Sequence, residues 1–159
     1  MDKTIKRKFK ESFDQIVLNF EIAFTELFGG GAAELRLEDE NNPLECGIEI
    51  VAQPPGKKLQ NINLMSGGEK TMTAIALMFA VLKAKPTPFC ILDEVEAALD
   101  DANIDRFAKY LTKFNNIQFV LVTHQKATME YADVLYGVTM PEQGVSKVIS
   151  LKLGDQFEF

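Results

Sequence analysis

Two short apolar runs, Phe89-Cys90-Ile91-Leu92 and Phe119-Val120-Leu121-Val122, limit the possible folds more than any other feature of this chain. Neither alternates with polar residues, which is the pattern of strands covered on both faces of a parallel sheet. The segment between them puts Phe107, Tyr110, Leu111 and Phe114 on one face of a helix over residues 102–114. Strand, helix and strand make a βαβ unit, whose crossover is expected to be right-handed. A short helix over 126–131 and strands over 134–140 and 146–153 complete an α/β body, a mostly parallel sheet flanked by helices.

The first 28 residues predict one helix. Phe13, Val17, Phe20, Phe24 and Leu27 recur at spacings of 4, 3, 4 and 3, a heptad seam that Ile16 widens toward a globular face. Its tip is basic, with Lys3, Lys6, Arg7, Lys8 and Lys10. A packed helix and the stump of a coiled coil both fit this pattern. Gly29-Gly30-Gly31 ends it, since glycine reaches left-handed backbone angles easily. Half-buried strands are expected over 34–38 and 47–52, where Leu35, Leu37, Ile48 and Ile50 alternate with polar neighbours; Pro54-Pro55-Gly56 then forms a loop. Lys57 and Lys58 after it read as solvated charges.

Composition removes several classes of function. Seventeen Lys+Arg against 23 Asp+Glu leave a net charge of −6, so the chain as a whole does not attract nucleic acid. The longest apolar run, Ala74 to Leu82, is nine residues, short of the ~18 a membrane span needs, and no signal peptide is expected. Cys46 and Cys90 form neither a CxxC nor a disulfide framework, so a reduced, cytoplasmic setting with both thiols buried as small apolar residues is expected.

The polar residues that follow the apolar runs carry the chemistry. Asp93-Glu94 comes directly after the first, and His124, the one histidine of the chain, directly after the second. Ligands of open parallel sheets bind outside the carboxyl ends of the strands, so these residues are expected along one edge. Two acids closing an apolar strand make the Walker B arrangement, in which the first, Asp93, is expected to hold Mg²⁺ directly or through water and the second, Glu94, to position a nucleophile. Successive side chains point in different directions, so the two cannot both reach one ion. The bland alternative is a pair of capping acids on an exposed turn.

The third element is Leu64-Met65-Ser66-Gly67-Gly68-Glu69-Lys70. Ser66 and Glu69 have the spacing of a capping box, and Met72, Ile75, Ala76 and Phe79 continue as a helix anchored on a core. Gly67 and Gly68 weaken a helix start; their use is to let a partner approach the free N–H groups, where a helix tip favours phosphate. A P-loop, G-x-x-x-x-G-K-[ST], is missing: Gly56-Lys57 has Val51 in place of the first glycine and Lys58 in place of Ser or Thr. The chain therefore carries parts that act on a γ-phosphate without the cradle for the nucleotide.

Together these residues resemble the ATP-binding-cassette ATPases, and Ser66-Gly67-Gly68-Glu69 looks like their signature motif. More narrowly, the chain is similar to the C-terminal half of the ATPase head of a prokaryotic structural-maintenance-of-chromosomes (SMC) protein. The likeness runs through Leu27-Phe28-Gly29-Gly30-Gly31, Pro54-Pro55-Gly56-Lys57-Lys58, the signature, residues 89–103, Thr123-His124 and residues 128–147. Met65, where the family often has leucine, is a conservative packing change. The family carries its P-loop on the other half of the head, across a long coiled coil. That implies a coiled-coil stub at 1–28 and a lobe at 29–159, of the ABC-type P-loop NTPase fold.

The resemblance also implies roles. Asp93 would assist Mg²⁺, Glu94 would activate water and His124 would contact the γ-phosphate of ATP. Ser66, Gly67, Gly68 and Glu69 would reach ATP bound on a second head, and Ala98-Leu99-Asp100 would form the loop at the head–head interface. Implied partners are the N-terminal half of the head, a second head in an ATP-dependent homodimer, the winged-helix domain of a kleisin subunit, and DNA through the full complex. No membrane partner is expected, and the location implied is cytoplasmic, at the nucleoid. Two other readings stand beside this half-site ATPase of chromosome condensation and segregation. One is an SMC-like DNA-repair ATPase lobe; the other is a non-catalytic scaffold that docks a kleisin.

Overall fold

The computed structural model describes residues 2–152. Residue 153 of the last expected strand, and residues 1 and 154–159 of the two expected segments, lie outside them. Helix α1 (Asp2–Phe28) leads into an antiparallel sheet of β1 (Ala32–Leu37), β2 (Ile48–Gln53) and the short β3 (Gln60–Asn61). A 3-10 turn at Ile62–Leu64 then leads to helix α2 (Gly67–Ala84). The second half runs β4 (Phe89–Asp93), α3 (Asp101–Leu111), β5 (Gln118–Val122), α4 (Lys126–Met129), β6 (Val134–Glu142) and β7 (Val145–Lys152).

The core lies where α1, α2 and α3 meet. Phe20, Phe24 and Leu27 from α1 are fully buried with Met72 and Phe79 of α2 and Phe107 of α3. Phe79 is the hub, its ring 4.9 Å from Tyr110, 5.4 Å from Phe114 and 6.4 Å from Phe119, centroid to centroid. One polar contact is sealed in the α1–α2 seam: buried Asn19 donates to the Ala80 carbonyl at 3.2 Å. The heptad residues therefore pack onto the globular body from Phe13 onward, and α1 shares its core.

Two joints fix the end of α1. Arg106 of α3 donates to the Phe28 carbonyl at 3.0 Å, which satisfies one of the free carbonyls at a helix C-terminus. Gly31 has φ +85°, and a Cβ there would stand 2.3 Å from the Gln53 carbonyl oxygen, so only glycine fits.

The expected mostly parallel sheet is not what forms. Among the described residues only β4 and β5 pair in parallel, Phe89 opposite Gln118 through Asp93 opposite Val122. The β1–β2–β3 sheet and the β6–β7 hairpin are separate and antiparallel. Nor are the two apolar runs covered on both faces. Cys90, Leu92, Phe119 and Leu121 turn toward the core, whereas Phe89 (58% exposed), Ile91 (63%), Val120 (46%) and Val122 (52%) face outward. The physical reason is that β4 and β5 have no further strand beside them, and no helix over their outer face, among the described residues. Cys46 and Cys90 are half-buried free thiols, not the fully buried residues expected; burial still pushes the Cys90 thiol upward in pKa.

Candidate active site

The carboxyl ends of β4 and β5 bring the acid pair and the histidine together. Asp93 closes β4 opposite Val122, and the Glu94 N–H continues the ladder to the Val122 carbonyl at 2.9 Å. Glu94 Oε1 then lies 3.4 Å from His124 Nδ1, and Gln125 Nε2 lies 3.4 Å from the other ring nitrogen. Glu94 is the one non-glycine residue with a positive φ, +46°, among the described residues. Such backbone persists only where surrounding structure enforces it, and it concentrates at functional sites. Here the Ala97 N–H donates to the Glu94 carbonyl at 3.1 Å and closes the turn. Asp93 and Glu94 are both solvent-exposed.

The expected capping box forms at the start of α2, with Ser66 as N-cap. Glu69 Oε2 accepts from the Ser66 N–H at 3.1 Å and from its hydroxyl at 2.8 Å, so the serine proton is directed back into the box. Lys57 is not a free surface charge: its ammonium lies 2.7 Å from Glu69 Oε1. That ion pair, helped by the Ser66 donors and opposed by partial burial, holds the Glu69 carboxyl below its usual pKa. Met65 is buried under the tip and receives the Thr73 hydroxyl on its sulfur.

The two glycines have different reasons. Nothing lies within 4 Å of a Cβ built on Gly67, so the space beside it is open. A Cβ on Gly68 would stand 3.2 Å from the Ala98 carbonyl oxygen, so Gly68 lets the α2 tip approach the chain's own 94–100 loop. Asp100 at the end of that loop caps α3, accepting from the Asn103 N–H at 2.8 Å. The α2 tip is thus joined to the acid-bearing loop within one surface.

Asp93 offers one exposed, hard oxygen donor. Among the described residues no group of three or more His, Cys, Asp or Glu could hold a metal alone. One carboxylate fits Mg²⁺, which keeps several waters and takes other ligands from substrate phosphates. Also among the described residues, no helix is long and apolar enough to cross a membrane.

Sequence reasoning missed Glu96. It is buried, with Thr123 and Thr128 hydroxyls on one of its carboxylate oxygens. Nothing in its sequence neighbourhood distinguishes it from the other acids of residues 93–101.

The sequence model of the family described as "RecF/RecN/SMC N terminal domain" matches residues 3–147. The chain belongs to that family. Its description names the N-terminal region rather than the C-terminal half expected from the resemblance. The "Chromosome partition protein Smc" of Bacillus subtilis is 61% identical over 160 residues, covering 100% of this chain and 14% of the relative. That of Clostridium kluyveri is 61% identical over 154 residues, covering 96% and 13%. The chain thus spans about a seventh of the curated SMC relatives it matches.

Solved SMC structures share the fold. One, described as "Structural biochemistry of ATP-driven dimerization and DNA stimulated activation of SMC ATPases", is 44% identical with TM-score 0.85, over 93% of this chain and 90% of that one. An Smc head domain from Pyrococcus furiosus with an extended coiled coil, bound to the C-terminal domain of ScpA, is 44% identical with TM-score 0.88, over 95% and 38%. The α/β architecture is therefore that of SMC ATPase heads.

Proposed function

We propose that this chain is the SMC head lobe that brings a signature helix, an acid pair and a switch histidine to ATP, and that it hydrolyses ATP only with a P-loop-bearing lobe and a second head. The observation that carries this reading is the meeting of His124 and Glu94 at the end of the β4–β5 pair. The open apolar face of that pair supports it, since parallel strands are normally covered on both faces; the P-loop lobe is the occupant assigned to it. In this reading residues 1–28 are the coil stub, whose part from Phe13 onward packs into the core of the lobe over residues 29–159.

The chemistry follows from the positions. Glu94, aimed by its left-handed backbone, takes a proton from the water that attacks the γ-phosphate, while His124 contacts that phosphate and steadies the Glu94 carboxylate. Asp93 would hold Mg²⁺, which when bound offsets the charge of the β- and γ-phosphates. Ser66 and the N–H groups of Gly67 and Gly68 reach ATP on the opposing head, with Ser66 turning its hydroxyl from Glu69 to phosphate. Glu69, tied to Lys57, keeps the tip in shape, and Asp100 sits where the heads meet. Two heads then enclose two ATP molecules, and hydrolysis parts them.

Docking of a kleisin winged-helix domain, DNA contact through the full complex, and a cytoplasmic place at the nucleoid belong to the same proposal. The ScpA-bound SMC heads among the similar structures support the first. Both acids would be superfluous in a pure scaffold, and relatives named for chromosome partition favour that role over DNA repair.

The test is ATP binding and turnover by the chain with and without a P-loop lobe. Turnover is expected only in the mixture; turnover by the chain alone overturns the reading.

A further inference from the structure

Glu96 is 1% exposed, and no lysine, arginine or histidine nitrogen pairs with it among the described residues. Burying a carboxylate is costly unless its oxygens are hydrogen-bonded. Both of its partners are hydroxyls, and both fall on Oε1: Thr123 donates at 2.5 Å and Thr128 at 3.2 Å. A leucine of similar volume would fill the same space without that desolvation cost. What leucine would lack is a directional acceptor.

The direction matters because of what Thr123 does next. Its hydroxyl oxygen accepts from the Gln125 N–H at 3.0 Å. The residues on both sides of His124 are therefore tied through one hydroxyl to one buried oxygen. The other side of the link is equally fixed. Glu96 lies two residues beyond Glu94, in a turn closed by the Leu99 N–H on the Glu96 carbonyl at 2.9 Å. The bond from the Glu94 N–H to Val122 anchors that turn to the strand leading into Thr123. The Glu96–Thr123 bond thus completes a closed loop of contacts around the 3.4 Å approach of His124 to Glu94.

We propose that Glu96 is a positioning residue for hydrolysis: through the Thr123 hydroxyl it holds the His124 loop where the imidazole meets Glu94. The proposal rests on the reading of Glu94 and His124 given above for its catalytic consequence, but not for its geometric claim. Glu96 touches neither nucleotide nor water in this scheme. Thr128 bonds the same oxygen from α4 without adjoining His124, so it is an internal control.

His124 is the only histidine in the sequence, so its imidazole gives one unambiguous set of NMR signals from the full chain labelled at histidine. In the parent, Glu94→Gln should move the Nδ1 and Hε1 resonances at fixed pH. The same substitution should move them equally in Thr123→Ser, which keeps the hydroxyl, and in Thr128→Val. In Thr123→Val and in Glu96→Leu the response should fall to less than half, with the fold intact by circular dichroism. An undiminished response in folded Thr123→Val overturns the proposal, and so does an equal loss in Thr128→Val. Should Glu96→Leu not fold, the two threonine variants decide.

Turnover with a P-loop lobe is the second readout. Thr123→Val should lower kcat by about tenfold or more while KM for ATP stays within about threefold, because misplacing a catalytic group costs rate rather than binding. Thr123→Ser should restore the rate, which a general loss of stability would not allow. Absence of turnover in the parent mixture would sink the proposed function and leave the NMR result to judge the positioning role separately.

Discussion

Lys57 Nζ lies 2.7 Å from Glu69 Oε1, so the loop after β2 is fastened to the first turn of α2. Glu69 in turn holds both donors of Ser66. The path from loop to helix tip is therefore one ion pair and one capping box long. The same loop is held from behind by Gln53, whose side chain donates to the Lys57 carbonyl at 2.9 Å.

Lys57→Met tests the electrostatic half of that link. The Glu69 pKa is lowered in the folded chain from an ordinary 4.5. A lowered carboxylate pKa stabilises the fold above the unfolded-state value, and that stabilisation disappears as pH falls through the folded one. Lys57→Met should thus lower the melting temperature at neutral pH, and the gap to the parent should close as pH drops below 4.5. Lys57 is half-exposed, so the effect stays within about 1 kcal/mol. Thermal melts across that pH range measure it, and a gap that persists in acid refutes the ion-pair account.

How much of this was legible in the sequence depends on what each feature needed. The capping box at Ser66, the α2 core face and the strand–helix–strand order are local patterns, and each formed within a few residues of its expected place. The meeting of Glu94 and His124, with Asp93 on the same edge, followed from topology, because the ends of two parallel neighbours lie side by side. The open outer face of β4–β5 was not legible, since an apolar run records that a surface must be covered but not whether this chain covers it. Lys57–Glu69 and Glu96–Thr123 were hidden for another reason. Both join residues across loops, where the spacing of types has no period to read. The positive φ of Glu94 left no trace either, as glycine is the usual signal for such a conformation.

Glu94→Gln addresses the proposed base. The amide keeps the size and a hydrogen-bonding oxygen but cannot accept the proton of an attacking water. In a head reconstituted with a P-loop lobe, ATP binding should survive while turnover falls by about 10²–10⁴-fold, the usual worth of a general base. Engaged heads should then accumulate with ATP, read as a dimer by sedimentation. Parent-like turnover would mean the base lies elsewhere.

Ser66→Arg addresses the trans role of the α2 tip. The tip is solvent-exposed, and a Cβ on Gly67 meets nothing within 4 Å, so a long side chain at Ser66 projects outward without disturbing the core. The loss of a serine N-cap costs about 1 kcal/mol, which the fold can absorb. Binding of ATP to the P-loop lobe should remain largely unchanged, while the ATP-dependent dimer is lost to bulk at the contact. A variant that still dimerises with ATP counts against that role.

Tyr110→Phe reads the core from the alkaline side. The phenol is 5% exposed, and burial, aided by the negative charge of Glu26, pushes its pKa from 10 up to about 12. A raised folded pKa means that the fold retains a proton the unfolded chain has released. The stabilisation tied to that proton is complete below pH 10 and fades as pH rises toward 12. Phenylalanine keeps the ring contacts with Phe79 at 4.9 Å and Phe114 at 5.7 Å but has no proton to lose. Between those pH values the parent should therefore lose roughly 2–3 kcal/mol more unfolding free energy than the variant. Urea unfolding followed by far-ultraviolet circular dichroism at both ends of the range gives the two slopes. Parallel slopes would show that the Tyr110 hydroxyl ionises as freely in the fold as in the open chain.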